Sequence, residues 1–188
     1  MEQDNKTLYT LIIFSENLAG VLNQVTTVFT RRQINIESLN VSASSIEGIH
    51  RYTITCWSFE DQIKTITKQI EKKIDVIQAN YFTSDEIFIM EVGLFKLSTD
   101  KMTEHREISK AIRFHNAKIL EVNSVYAIVS LEGMTKDIVS LYHALREYDC
   151  VLQYVRSGAV AITKSKREVL NEFLAERQRV GESLAGQA

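Results

Sequence analysis

Proline is absent from the 188-residue sequence, and cysteine is scarce, with only Cys56 and Cys150. Without proline, the turns have to be formed by glycine, asparagine, aspartate and serine. The two cysteines lie far apart, and neither has a second cysteine or a histidine at metal-ligand spacing. The sequence therefore predicts no disulfide framework and no metal site, and it favours two reduced core cysteines in a cytoplasmic protein.

Long hydrophobic runs are also missing, and the charges nearly cancel. Uninterrupted apolar runs such as Leu11–Phe14 are far shorter than the roughly 20 residues of a membrane-spanning helix. The polar segment Met1–Lys6 does not resemble a signal peptide. Lysine and arginine number 22 against 24 aspartate and glutamate residues, a net charge of −2, whereas nucleic-acid-binding domains are commonly basic. We therefore expect a protein that binds neither membranes nor nucleic acids.

The sequence also lacks the motifs of known catalytic sites. The sequence has no G-x-S-x-G, H-E-x-x-H, Walker A, G-x-G-x-x-G or C-x-x-C motif. Its four histidines, His50, His105, His115 and His143, are scattered, and no nucleophile, base and metal set accompanies them. The sequence thus predicts a non-catalytic chain with no catalytic residues and no cofactor of its own.

What the sequence does contain is a repeated order of strands and helices. In the first half, continuous or alternating apolar residues predict four strands, and spacings of three and four predict two helices. The strands are Thr7–Phe14, Asn35–Ala43, Ile49–Trp57 and Val76–Phe82, one helix runs from about Asn17 to Arg32, and the other carries Ile63, Ile66, Ile70 and Ile74. This βαββαβ order predicts a ferredoxin-like domain over residues 7–83. The first strand is apolar on both faces, which predicts a central strand covered on both sides.

The second half repeats this order after the polar joint Thr83–Asp85. The predicted strands are Ile87–Lys96, Lys118–Val122, Val125–Leu131 and Cys150–Val155 with Ala159–Ile162, and the predicted helices are Thr103–Phe114 and one carrying Ile138, Leu141, Tyr142 and Leu145. The predicted fold class is therefore α+β, with two tandem ferredoxin-like βαββαβ domains, the second over residues 86–163. A weak similarity between the segments that begin at Phe29 and Phe114 supports a repeat. Residues 164–188 are predicted to begin as a helix and to end as a flexible tail.

The loop after the first strand is the best candidate for a binding site. Gly20 falls near the start of the first predicted helix, where glycine is unfavourable by about 0.8–1 kcal/mol relative to alanine but lets a ligand approach the backbone. The first amides of a helix suit a carboxylate, and the Asn17 carboxamide can donate and accept. Together they fit the carboxylate and ammonium of an α-amino acid. The purely structural alternative is that Asn17 caps the helix and Gly20 permits close packing.

Asn35, at the start of the second predicted strand, is a candidate for the other wall of the same pocket. In a βαββαβ unit this strand lies at the sheet edge, where Ile36, Leu39 and Val41 make it apolar and favour pairing with another copy. A two-fold dimer through this edge would bring Asn35 of one chain towards the Asn17–Gly20 loop of the other. The structural alternative is that Asn35 is a turn residue that closes the helix.

These residues resemble a known family. The segments Asn17–Leu22 and Asn35–Leu39, together with Arg156–Gly158, are similar to the small regulatory subunits of acetolactate synthase (acetohydroxyacid synthase), and the resemblance covers residues 7–165. It implies an N-terminal ACT domain in a non-catalytic chain. It also implies that the chain binds and activates a catalytic large subunit, which carries thiamine diphosphate, Mg and FAD, and makes it sensitive to feedback inhibition by valine.

The resemblance further implies a valine site between the ACT domains of a homodimer. Its contacts would be Asn17, Gly20, Val21 and Leu22 of one chain and Asn35 and Ile36 of the neighbouring chain. Two positions depart from the family pattern: Gln33 stands where a glycine usually caps the helix, and Ala19 stands where many ACT domains have proline. The departure at Gln33 bears on how Asn35 is oriented.

Other functions and effectors stay open at this point. A free-standing amino-acid sensor without a catalytic partner would have the same loop. The near-neutral charge and the missing aromatic-basic sheet motif argue against an RNA-binding module. Valine, leucine and isoleucine are not separated by the sequence, because one methylene contributes only about 1–3 kcal/mol in a pocket.

Overall fold

The computed structural model describes residues 6–165, which form two compact units. One unit contains the residues up to Phe88 together with those from Ala161, and the other contains Ile89–Val160. Each unit has its own sheet and hydrophobic core. Apart from Lys164 and Ser165, the helix and tail predicted for residues 164–188 lie outside the described residues.

The first unit consists of a four-stranded antiparallel sheet and two helices. Its elements are β1 (Thr7–Glu16), α1 (Val21–Arg31), β2 (Ser38–Ala43), β3 (Ile49–Ser58), α2 (Glu60–Glu71) and β4 (Val76–Phe82). The strand order β2-β3-β1-β4 places β1 in the interior of the sheet and β2 at one edge. The predicted βαββαβ order and the edge position of the second strand are therefore confirmed.

Both helices of the first unit pack on one face of this sheet, because their apolar residues recur on one side. The core is formed by Leu11, Ile13, Val21, Val25, Phe29, Ile54, Ile63, Ile66 and Ile70, among others. The opposite face is also buried at Ile12 and Phe14, as the apolar pattern of β1 predicts. Ile74 was wrongly placed on α2: the helix ends at Glu71, and Ile74 is 97% exposed.

The second unit repeats the architecture with two additions. Its elements are β5 (Ile87–Ser98), which begins two residues before it, α3 (Thr99–Glu104), α4 (Arg106–Phe114), β6 (Lys118–Val122), β7 (Tyr126–Gly133), α5 (Thr135–Arg146) and β8 (Val151–Arg156), and β9 (Val160–Thr163) starts at its last residue. The strand order is β6-β7-β5-β8, and β9 also pairs with β5. Strand β6 thus takes the edge position that β2 has in the first unit.

The single helix predicted over Thr103–Phe114 is wrong. The chain is already helical from Thr99, because the Ser98 hydroxyl accepts a hydrogen bond from the Lys101 amide and caps α3. The helix is then broken at His105, whose backbone is extended (φ −120°, ψ 103°). Helix α4 begins after this break, at Arg106, and contributes Ile108 and Ile112 to the core.

The segment Arg156-Ser157-Gly158 ends β8 and separates it from β9. Arg156 Nη1 lies 3.2 Å from Oε1 of the buried Glu91. Ser157 donates its amide to the Val92 carbonyl, and its Oγ accepts from the Val92 amide at 3.0 Å. Gly158 is left-handed, with φ 78°. The segment therefore has a structural role, since it holds the end of β8 to β5 and turns the chain.

Helices α1 and α4 end in the same way. The Ile34 amide donates to the Phe29 carbonyl, and the Ala117 amide donates to the Ile112 carbonyl. In each case the residue before the donor is left-handed, and this hydrogen-bond pattern is a Schellman motif. Phe29 therefore corresponds to Ile112, and both are buried.

The internal repeat predicted from the sequence is thus present, but its predicted alignment is wrong by two residues. Phe114, which was matched with Phe29, lies at the end of α4 and is 83% exposed. Similar residue types had suggested that match, whereas the backbone hydrogen bonds define the equivalent positions.

Candidate functional site

The loop between β1 and α1 has a backbone that requires glycine at its end. Gly20 directly precedes α1 and is left-handed, with φ 93° and ψ −15°. Glycine avoids the cost of about 1–2 kcal/mol that other residues incur in this region. The prediction that Gly20 lies inside the helix is therefore wrong. A Cβ built on Gly20 would meet no atom within 4 Å, so the space beside the loop is open.

Asn17 lies in the same loop but does not cap the helix, which corrects the capping alternative. Helix α1 has no side-chain cap, and its N-cap residue is Gly20. The Asn17 amide donates to the Gly48 carbonyl at 2.9 Å, which fixes the backbone at this position. The side chain is exposed, and within residues 6–165 its carboxamide makes no hydrogen bond. The carboxamide is therefore available to a ligand.

The amides at the start of α1 provide the complementary donors. Within the described part of the chain, the amides of Gly20, Leu22 and Asn23 donate to no acceptor, and the Val21 amide reaches the Leu18 carbonyl only at 3.5 Å. Such amides carry the partial positive charge of a helix N-terminus. The loop is therefore suited to a carboxylate or another anion.

The side chains of the remaining predicted residues differ in exposure. Val21 is completely buried in the core and can offer a ligand only its backbone. Leu22 is exposed, as is Leu18 in the loop. The structure therefore brings Asn17, Gly20 and Leu22 together at the surface, with two leucine side chains beside the unpaired amides.

Asn35 and Ile36 lie at the other end of α1. The eleven residues of this helix span about 16 Å at 1.5 Å per residue, so one chain does not bring both sets of residues together. Strand β2 begins at Ser38, not at Asn35 as predicted. Gln33, not Asn35, is the left-handed residue, with φ 54°, which rules out the helix-closing alternative for Asn35. Asn35 is exposed, whereas Ile36 packs against the core.

A surface depression of about 400 Å³ lies beside Asn35. It is lined by Lys6, Gln33, Ile34, Asn35, Glu37 and Trp57. Trp57 is half exposed at this depression. The sequence could have predicted this exposure, because Trp57 follows Cys56 in β3 and neighbouring strand residues face opposite sides of the sheet. Ile54 and Cys56 are on the buried side. Nothing in the sequence indicated that Lys6 and Glu37, which give the depression charges of both signs, would lie there.

Cys56 lies close to this depression on the core side of β3. Burial, and secondarily the negative charge of Glu37, raise the pKa of its thiol to about 12. The thiol is therefore protonated at neutral pH. Within residues 6–165, no group of histidine, cysteine, aspartate or glutamate side chains could hold a metal ion, and no helix there is long and apolar enough to cross a membrane.

The two tandem ferredoxin-like units, with the open glycine loop in the first, define an ACT-type protein. Residues 11–78 match the family model described as the AHAS small subunit-like ACT domain, and residues 90–165 match the model described as the small subunit of acetolactate synthase. The chain belongs to the acetolactate synthase small subunit family, which confirms the resemblance seen in its sequence.

Individual relatives agree with this assignment. The chain is 30% identical over 161 residues to the acetolactate synthase small subunit of Mycobacterium leprae, covering 86% of this chain and 94% of the relative. It is 29% identical over 164 residues to that of Bacillus subtilis, covering 87% and 93%. The crystal structure of the acetolactate synthase small subunit from Thermotoga maritima has the same fold, with a TM-score of 0.76 at 24% identity, covering 85% of this chain and 99% of the other.

Proposed function

We propose that this chain is a non-catalytic, cytoplasmic regulatory subunit of acetolactate synthase. It binds and activates the catalytic large subunit and confers feedback inhibition by valine or another branched-chain amino acid. The thiamine diphosphate, Mg and FAD of the enzyme belong to the catalytic partner. The observation that carries the proposal is the open left-handed Gly20 beside unpaired helix amides and a free Asn17 carboxamide.

These groups match the functional groups of a branched-chain amino acid. The amides at the start of α1 donate to its carboxylate, and the Asn17 carboxamide oxygen accepts from its ammonium. The exposed Leu22 side chain offers apolar contact to the branched side chain. An affinity between micromolar and millimolar, about 4–8 kcal/mol, is reasonable for so small a ligand.

A two-fold homodimer through β2 completes the site. Strand β2 is at the edge of its sheet, where a second copy can pair with it. A two-fold axis reverses the direction of the second β2, so the Gly20 end of one α1 comes beside the Asn35 end of the other. Asn35 and the backbone of Ile36 then form the second wall of the pocket. Valine acts by favouring one arrangement of the complex over another.

Substitution of Gly20 by aspartate tests the pocket. We expect Gly20→Asp to weaken valine binding by about tenfold or more, equivalent to about 1.4 kcal/mol, because its carboxylate repels that of the ligand. Isothermal titration calorimetry with valine, leucine and isoleucine measures the affinity. Valine inhibition of the enzyme reconstituted with its catalytic subunit measures the effect on regulation, and activation should persist.

Gly158→Asp is the matched control. Gly158 is also left-handed, with φ 78°, and it belongs to the second unit, so it introduces the same backbone strain and charge outside the unit that holds the proposed pocket. Equal loss of valine affinity in the two variants would place the pocket elsewhere. Affinity capture from the native cell extract tests the partner: valine binding without recovery of a thiamine diphosphate-dependent large subunit would identify a free-standing sensor instead.

A further inference from the structure

We infer that one end of the second unit docks the catalytic partner, and that an acidic pocket there receives a lysine or arginine side chain of that partner. The surface is formed by Phe114, Ile119, Leu120 and Val122, and is called the Phe114 surface below. The inference rests on the proposed function, since it locates the contact that a regulatory subunit needs.

The Phe114 surface is apolar and uncovered. Its four side chains are each half exposed or more, and all five residues of the edge strand β6 are exposed. The equivalent edge strand of the first unit differs, because its Leu39 and Val41 pack against their own core. Exposed apolar residues that follow one another along an edge strand form the kind of patch that marks a site of protein contact.

Two of these side chains, Ile119 and Val122, lie on the helix-bearing side of the sheet. Ile119 is paired with Val129, and Val122 is paired with Ala127. Paired residues face the same side of a sheet, and Val129 is part of the core beneath the helices. Ile119 and Val122 therefore extend the apolar layer of the core to the edge strand β6, which begins four residues after Phe114, the last residue of α4.

Strand addition by a second copy fits this edge poorly. The register between β6 and β7 shifts between Ile119 and Glu121, which makes Leu120 the extra residue of a β-bulge. Bulges protect edges from pairing with another strand. The edge is therefore suited to the side chains of a different protein, with the ion pair between Lys118 and Glu132 (3.5 Å) as part of its polar rim.

The pocket beside Phe114 determines the charge of the partner residue. It has a volume of about 440 Å³ and is lined by Phe114, His115, Asn116, Leu131, Glu132, Asp137 and Ser140. It contains two carboxylates, and that of Asp137 has no ion-pair partner within residues 6–165. The exposed ring of Phe114 can bind a cation on its face. An ammonium or guanidinium group therefore fits this pocket.

The histidine in the pocket is occupied within the unit. His115 Nδ1 lies 3.0 Å from the Ala111 carbonyl oxygen, and Nε2 lies 3.2 Å from Ser140 Oγ. Because a carbonyl oxygen only accepts, the neutral ring donates through Nδ1 and accepts the Ser140 hydroxyl at Nε2. His115 thus holds α4 to α5 and leaves the Asp137 carboxylate to the ligand.

The second unit also lacks the feature that suits the first to an amino acid. The loop Asn17–Gly20 separates β1 from α1, whereas β5 ends at Ser98 and α3 begins at Thr99 without a loop or glycine. The corresponding end of the second unit therefore has no open glycine backbone. At the C-terminal end of α4, the second unit instead presents an apolar surface next to an acidic pocket, a combination that recognises a basic, apolar segment of a protein.

Two substitutions with matched controls test the inference in the full-length chain. We expect Phe114→Ala and Asp137→Lys each to weaken binding to the purified catalytic subunit by about tenfold or more, as for central interface residues. Biolayer interferometry measures the affinity, and stimulation of the catalytic rate provides a second readout. Valine binding to the isolated chain, measured by calorimetry, should not change.

The controls lie in the first unit. Ile74→Ala removes another exposed apolar side chain, and Asp61→Lys reverses another aspartate in the first turn of a helix, as Asp137 is in α5. Neither should affect catalytic-subunit binding. Leu120→Ala provides a third variant of the surface should one of the others fail to fold.

The outcomes are distinct. Unchanged affinity in folded Phe114→Ala and Asp137→Lys would overturn the docking surface and leave the proposed function intact. A change in the oligomeric state of the isolated chain, measured by sedimentation velocity, would also overturn it, because the surface would then join two copies. If the wild-type chain neither binds nor stimulates the catalytic subunit, the proposed function itself fails.

Discussion

At the scale of single residues, the structure shows how α1 ends although Gln33 stands where the family usually has glycine. Gln33 occupies the left-handed position that ends α1, with φ 54°, and the backbone keeps the hydrogen bonds of a Schellman motif without glycine. Asn116 takes the same role after α4, with φ 56°. The departure therefore leaves the geometry of the cap intact, and its cost is a locally strained backbone.

This strain is measurable. We expect Gln33→Gly to raise the free energy of unfolding by about 1 kcal/mol, because glycine adopts the left-handed region without a Cβ penalty. Asn116→Gly should gain less, since asparagine tolerates this conformation better than glutamine. Urea denaturation of both variants checks the order. A Gln33→Gly variant no more stable than wild type would show that the position is not strained.

The residues of the candidate site differed in how far the sequence could predict them. The chemistry of helix starts predicts Asn17 and Gly20 as binding residues, and the structure places both at the surface of one loop. Lys6 and Glu37 were not predicted, because their meeting beside Trp57 depends on how β1 and β2 each pair with β3. Sequence spacing does not reveal neighbours on different strands when the register is unknown.

At the scale of elements, the contact between β5 and α5 depends on a glycine of ordinary backbone conformation. A Cβ on Gly93 would lie 2.5 Å from Ile138 Cγ2. Ile138 is fully buried in the second core, so it can move only against other close-packed core residues. Glycine at this position therefore sets how closely the helix approaches the sheet.

We expect Gly93→Ala to destabilise the protein by about 1–3 kcal/mol, the usual cost of overpacking a core. Gly133→Ala serves as the control, because its Cβ would meet Asp137 only at an ordinary 3.7 Å. Thermal or urea unfolding monitored by circular dichroism compares the two variants. A Gly93→Ala protein as stable as Gly133→Ala would contradict the packing described for α5.

The strands were easier to predict than the helices of the second unit. Strands β4 and β6 have the predicted bounds, because their apolar and polar residues stand between clear polar turns. The break at His105 was not predictable from periodicity, since the Ser98 cap and the extended His105 backbone depend on individual local hydrogen bonds. The separation of β8 from β9 likewise depends on the contacts of Arg156 and Ser157 with β5.

At the scale of the whole molecule, each unit carries one buried cysteine, Cys56 in the first and Cys150 in the second. Burial raises the pKa of both thiols, that of Cys56 to about 12. Both should therefore resist Ellman's reagent at pH 8 in the native protein and react in concentrated urea. Single Cys56→Ser and Cys150→Ser variants assign each reaction to its unit, and rapid labelling of the native protein would contradict the burial.

Because the pKa of Cys56 is raised in the folded protein, the stability of the protein depends on pH in the alkaline range. The folded pKa of Cys56 lies above the reference value of 9.0, so its contribution to stability is complete below pH 9. It declines as the pH rises from about 9 to about 12, where the unfolded chain loses the thiol proton and the folded chain keeps it. We therefore expect the stability of wild type, measured as its urea midpoint, to fall relative to that of Cys56→Ser across this range.

The length of α1 determines how many effector molecules the proposed dimer binds and how that binding depends on protein concentration. Under the proposed function, each chain carries two unlike half-sites and no complete one, because about 16 Å of helix separates the two sets of predicted contacts. A closed dimer then holds two complete pockets, one ligand for each chain, and a dissociated chain holds none. Dilution of the protein should therefore lower its apparent affinity for the amino acid by mass action, which makes effector sensitivity depend on the amount of subunit present.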